Sequence, residues 1–227
     1  MPSDSDNLEA IKATTLSKFE WNPVDAFVEH LKEIDDPRVA QTTSESQAQQ
    51  AGEALHDKSF GLFVSVKQED TGDTILEKMR AERVTAINHN DYQIQGAPDH
   101  VIVEGDTVRV EDMKTTSWDD KDFWKQHQLP QAAFQVRIYS WMLSHVPNIT
   151  VQNPQIAVKQ RKDGSSVDWF TYEVEYEQED TEGHINYVLS MLEQPTELAP
   201  LRPEEDWKNE YWDEFIKLAL SDKNNKP

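Results

Sequence analysis

Gly96 to Thr116 reads GAPDHVIVEGDTVRVEDMKTT. Val101–Val103 and Val108–Val110 are short β-branched runs, and Glu104-Gly105-Asp106 supplies a turn between them, so the stretch predicts an antiparallel hairpin leading into a central strand. Along a strand alternate side chains share a face, which points Asp112 and Lys114 the same way and leaves the carbonyl of Met113 between them. Asp99, after Gly96-Ala97-Pro98, lies at the start of the hairpin, so two carboxylates and a lysine can converge.

Such a trio suits phosphodiester hydrolysis. Hard oxygen ligands hold magnesium or manganese, which polarises the phosphate and lowers the pKa of an attacking water. A neighbouring lysine orients that water or offsets charge developing on the phosphate oxygens. Asp99 and Asp112 are the candidate metal ligands and Lys114 the candidate catalytic cation. An isolated D-x-K triplet usually marks only an exposed strand edge with an ion pair. Here a glycine and a proline precede the first Asp, and a polar pair ends a Val-rich strand. About twenty residues further on, a helix starting at Pro130 and running to about His145 sets Gln131, Gln135 and Tyr139 on one face.

In chain order the sequence offers Gly52-Glu53-Ala54-Leu55-His56, Gly96-Ala97-Pro98-Asp99, Asp112-Met113-Lys114 and Gln135-Val136-Arg137-Ile138-Tyr139. This series resembles the RecB-like branch of the PD-(D/E)XK nucleases, including its small CRISPR-associated and viral exonucleases, over roughly residues 50 to 145. The resemblance implies an α/β fold of restriction-endonuclease type, with a central mixed sheet flanked by helices. It implies Mg2+ or Mn2+ as cofactor, held by His56, Asp99, Asp112 and the backbone oxygen of Met113, with Gln135 and Tyr139 binding DNA or bracing Lys114. Glu53 or Glu77 could replace His56 as the third ligand. DNA is the implied substrate, as single strands or duplex ends, with recombination, replication or CRISPR-adaptation proteins as partners. Many members of the branch carry four cysteines on an iron–sulfur cluster; this chain has no cysteine, which excludes thiolate-held clusters, thiolate zinc sites and disulfides together.

The rest of the chain reads as helices over Leu8–Ile34, a polar linker feeding a helix through about Lys58, a short strand at Phe60–Val66 and a helix at Asp73–Val84. A second hairpin is expected at Gln155–Tyr176, and helices at Glu182–Leu192 and Pro203–Leu220. Residues 8–220 are expected to form one domain between polar ends, 1–7 and 221–227. Trp207, Tyr211, Trp212 and Phe215 recur at helical spacing and are expected to pack on Phe19, Trp21 and Phe27, as plain core in place of a cluster clamp.

No run of residues is apolar for the roughly 20 positions a membrane helix needs, and the first residues lack a secretory pattern, so a cytoplasmic protein is expected. The net charge of −21, from 43 acidic and 22 basic residues, fits a salt-rich cytoplasm in which self-repulsion is screened within about 3 Å at 1 M salt. In such salt phosphate contacts lose affinity, so metal bridging, hydrogen bonds and base stacking must carry the grip on DNA, with Trp118 or Trp124 as stacking candidates unless they are core. Two other function classes remain in view: a catalytically silent module of this fold that binds DNA or protein, and an acidic DNA mimic.

Overall fold

In the computed structural model, residues 8–37, 39, 63–66, 86–162, 165–201, 204 and 211–224 are described here. Among them the chain runs β1 (Glu9–Lys12), α1 (Ala13–Lys18), α2 (Pro23–Glu33), β2 (Phe63–Val66), β3 (Ala86–His89), β4 (Tyr92–Gln95), β5 (His100–Glu104) and β6 (Thr107–Thr116). It continues through α3 (Lys121–His127), α4 (Leu129–Ser144), β7 (Thr150–Val151), β8 (Gln155–Lys162), β9 (Ser165–Glu173), α5 (Gln178–Leu192), α6 (Pro195–Leu198), a single 3-10 turn and α7 (Trp212–Asn224).

The larger sheet has the order β2-β5-β6-β8-β9, with β7 beside the start of β6. Its strands are mixed: β5 and β6 pair antiparallel, β6 and β8 parallel, and β8 and β9 antiparallel. The β5–β6 turn succeeds because Gly105 takes a left-handed backbone, φ 67°, which costs glycine nothing. The expected hairpins at 100–116 and 155–173 are therefore present, with β6 as the central strand. A smaller sheet, β1-β4-β3, lies before β5 in the chain, and its strand β4 runs directly into Gly96.

Helix α4 explains how the layers hold together. Its residues Ala132 to Val136 and Ile138 to Leu143 are buried on almost every side, as expected of a helix enclosed by other elements rather than lying on a surface. It packs on β6, β7 and β8 on one side and on α1, α3 and α5 elsewhere. Helix starts follow ordinary capping chemistry: Asn22 Oδ1 accepts from the N–H groups of Val24 and Asp25 at the head of α2, with Pro23 in the first turn. Asp120 caps α3 in the same way, 2.9 and 3.0 Å from the N–H groups of Asp122 and Phe123.

Several expectations are corrected. Glu9–Lys12 is a strand, because its pairing parallel to β4 places Ile11 in the core; that partner lies more than eighty residues on, beyond the reach of local periodicity. Strand β3, strand β7 and helix α3 also had no expected counterpart. The C-terminal helix continues to Asn224, past the residue where a polar tail was expected to begin. Its packing is close to expectation: Phe215 meets Phe27 edge-on at 5.9 Å and Trp212 stacks beside Phe215, whereas Phe19 pairs with Tyr187 instead. Trp207, the helix expected to end at about Lys58 and the helix expected at 73–84 lie outside the described residues.

Candidate active site

On β6, Val108, Val110 and Asp112 are buried on the face that α4 covers, and Lys114 follows on the same face. Asp112 is only 2 % exposed. The opposite strand brings a second carboxylate. His100 pairs with Glu111 and Val101 with Val110, so Asp99, one residue before β5, faces Asp112 on the same side of the sheet. Asp99 Oδ2 accepts the N–H of Met113 at 2.7 Å, which fastens the loop Gly96–Asp99 to the active strand.

Lys114 stands at the centre. Its Nζ lies 2.7 Å from Asp112 Oδ2 as an ion pair and donates to Gln135 Oε1 at 2.7 Å. Gln135 Nε2 in turn donates to Tyr139 Oη at 2.8 Å. Gln135 and Tyr139 share a face of α4 because four residues are one turn, so the helix presents a short relay of polar groups into a wall that is otherwise apolar. Gln131 sits half-buried one turn earlier and makes none of these hydrogen bonds.

Gly96 has a steric reason. A Cβ there would come within 2.7 Å of Tyr139 Cε1 and 3.0 Å of Ala13 Cβ, so only glycine lets the Tyr139 ring lie against the loop that carries Asp99. The sequence spacing of glycine and Asp reports this contact, although the spacing alone does not name the ring.

Two carboxylates opposed across a strand pair repel unless a proton or a cation lies between them. Burial, and then the Asp112 charge, push the Asp99 carboxyl up to about 7, against the Met113 N–H and Lys114, which favour its ionised form. Burial and the Asp112 charge likewise push the Tyr139 phenol well above its usual range. Asp112 Oδ2 is buried, with Lys114 Nζ 2.7 Å away as its ion-pair partner. A hard divalent cation fits these donors, since magnesium takes one or two carboxylates and completes its shell with waters and phosphate oxygens. Among the described residues no three His, Asp or Glu side chains cluster as a metal site; Asp99 and Asp112, opposed across the strand pair, are two carboxylates that could hold one. His56, Glu53 and Glu77, the alternatives for a third ligand, lie outside the described residues.

A family model for the PD-(D/E)XK nuclease superfamily matches residues 11–207. The chain belongs to this superfamily. No curated protein matches it. Among solved structures, it is similar to SSO0001 at 15 % identity and a TM-score of 0.46, covering 95 % of this chain and 88 % of that one. It is also similar to a chain described as a "putative exonuclease" from Eubacterium rectale, at 11 % identity and a TM-score of 0.47, covering 87 % and 82 %. The span matched by the superfamily model includes Asp99, Asp112, Lys114, Gln135 and Tyr139, and the mixed α/β architecture is that of the PD-(D/E)XK superfamily.

One residue of this PD-(D/E)XK member escaped the sequence reading. Gln160, buried on β8 and in register with Thr116, donates from Nε2 to the carbonyl of Trp118 at 2.9 Å, while Thr116 Oγ1 accepts the Trp118 N–H at 3.0 Å. A polar residue interrupting the alternation Ile156, Val158, Gln160 was the available signal. Trp118 is half-buried, whereas Trp124, the other stacking candidate, is 2 % exposed and belongs to the core.

Proposed function

We propose that this chain is a metal-dependent deoxyribonuclease of the RecB-like branch, acting on phosphodiester bonds through residues of a single domain spanning about 8–220. The observation that carries this reading is the set of contacts joining Asp99, Asp112, Lys114, Gln135 and Tyr139. Asp99 and Asp112 would hold Mg2+ or Mn2+, with the Met113 carbonyl and His56 or a neighbouring Glu as further ligands. The cation supplies Lewis-acid polarisation of a phosphoryl oxygen and lowers the pKa of an attacking water. Lys114 orients that water or offsets charge on the phosphate oxygens, and its ammonium is aimed by Gln135, itself held by Tyr139. An exonuclease is favoured over an endonuclease by likeness of motif order alone, in recombination, repair, viral replication or CRISPR spacer processing.

The charge of −21 supports work in a salt-rich cytoplasm, where the surface is screened and stays hydrated. No helix among the described residues is long and apolar enough to cross a membrane.

The test is incubation of the protein with end-labelled single- and double-stranded DNA, at moderate and molar salt, with and without Mn2+. Metal-dependent loss of label that stops in Lys114→Ala is expected, and the label pattern separates exo- from endonucleolytic cutting. Metal-independent DNA binding with no cleavage at any salt would instead mean a silent module, and failure both to bind and to cut DNA would favour the acidic mimic.

A further inference from the structure

Four residues beyond Lys114 the active strand delivers a ledge of aromatic rings. Trp118 and Phe123 meet edge-on at 4.8 Å, and Phe123 meets His127, one turn further along α3, at 4.3 Å. Phe123 is 40 % exposed although it lies in a strongly acidic chain. The ledge is held firmly from behind. Trp124, the next residue along α3, is buried edge-on to Phe170 at 5.4 Å, and the Trp118 backbone is fixed at its N–H by Thr116 and at its carbonyl by Gln160. Lys121 and Lys125, one helical turn apart and both exposed, lie on the other side of α3 from Phe123, with their ammonium groups 5.5 and 5.7 Å from the centre of the Phe170 ring.

We infer that the Trp118–Phe123–His127 ledge binds unpaired bases of a single-stranded nucleic acid by stacking. This rests on the nuclease reading, which makes a nucleic acid strand the occupant of the neighbouring site. Every base has a face on which a ring can stack, but in a duplex those faces are already covered. Charge favours the same choice: a duplex carries one negative charge per roughly 1.7 Å of axis, about twice the density of a single strand, and a chain of net charge −21 repels the denser polyanion more. Stacking also tolerates salt that weakens phosphate contacts.

The test is binding without metal, read by fluorescence anisotropy with a labelled oligodeoxythymidylate of about 20 nucleotides and a duplex of equal length, at about 0.1 and 0.5 M salt. The native protein should prefer the single strand, and Phe123→Ala should weaken that binding by roughly 5- to 100-fold, whereas Phe123→Tyr, which keeps a ring, should retain it. Unchanged melting temperatures show that both variants fold. Equal binding of the single strand by Phe123→Ala and native protein, or preference of the native protein for duplex, would overturn the proposal. Mn2+-dependent hydrolysis of bis(p-nitrophenyl) phosphate by the native protein reports the nuclease chemistry separately. If the small diester is cleaved while Phe123→Ala leaves strand binding intact, the ledge fails and the nuclease stands; the reverse pattern sinks the nuclease and leaves the ledge.

Discussion

Asp99 and Asp112 oppose one another on the buried face of the β5–β6 hairpin, one step beyond the His100–Glu111 pair, and Asp99 is tied to the next residue on the partner strand through the Met113 N–H. The hairpin thus concentrates negative charge where α4 and Lys114 close over it.

That opposition sets a pH dependence. Asp99 holds its proton up to about 7, whereas in an unfolded chain an aspartate ionises near 3.9. Between these values the folded protein binds the extra proton, so the stability that this group contributes is present at the acid end and is lost as pH rises through about 7. In chelator, the melting temperature should fall from about pH 5 to about pH 8, with a shallower fall in Asp99→Asn; Mn2+ should restore stability at the alkaline end. Equal slopes in the two proteins would contradict this.

Lys114 pairs with the buried Asp112 and, in the proposed reading, acts on phosphate. Lys114→Ala should lower Mn2+-dependent cleavage by about 100-fold or more, the scale seen when one positioned charge-stabilising donor is removed. Single-turnover rates on end-labelled DNA give the comparison, and a loss below about 3-fold would remove Lys114 from the chemistry.

Tyr139→Phe removes only the hydroxyl that Gln135 Nε2 donates to. The buried amide then lacks its partner, which costs about 1–3 kcal/mol of stability. Cleavage should fall less than in Lys114→Ala, because the ammonium keeps its bond to Gln135 Oε1. Denaturant unfolding and cleavage rates measured together check both halves; an unaltered midpoint would mean the amide finds another acceptor.

Gly96→Ala pushes a methyl to within 2.7 Å of the Tyr139 ring, and overpacking of this kind costs about 1–3 kcal/mol. Combining it with Tyr139→Leu should cost less than the sum of the two single changes, since the clash is shared. Strict additivity in a double-mutant cycle would place the strain elsewhere.

The legible part of the site was the part written in local geometry. Alternation along Val108, Val110, Asp112 and Lys114, and the one-turn spacing of Gln135 and Tyr139, follow from strand and helix periods, and both align as the periods require. What joined Lys114 to Gln135 across the interior could be inferred only from motif order, because the contact depends on how α4 crosses the sheet. Glu9–Lys12 was misread for a related reason: its strand character comes from pairing with Tyr92–Gln95, not from its own residues. Trp118 and Trp124 looked alike as sequence, and only the direction in which α3 docks on Phe170 separates the half-buried ring from the core one.

The most direct test is the single-turnover rate of Mn2+-dependent DNA cleavage by the native protein and by Asp112→Asn, read beside Mn2+ binding measured by calorimetry. Asp112→Asn keeps the shape of the side chain but removes the charge that lies between Asp99 and Lys114. Cleavage by the native protein, with cleavage and Mn2+ binding both lost in the variant by about 100-fold or more, is the expected result. Cleavage that persists in Asp112→Asn, or a native protein that binds no Mn2+ and cuts no DNA, would contradict the assignment of this hairpin as a nuclease centre.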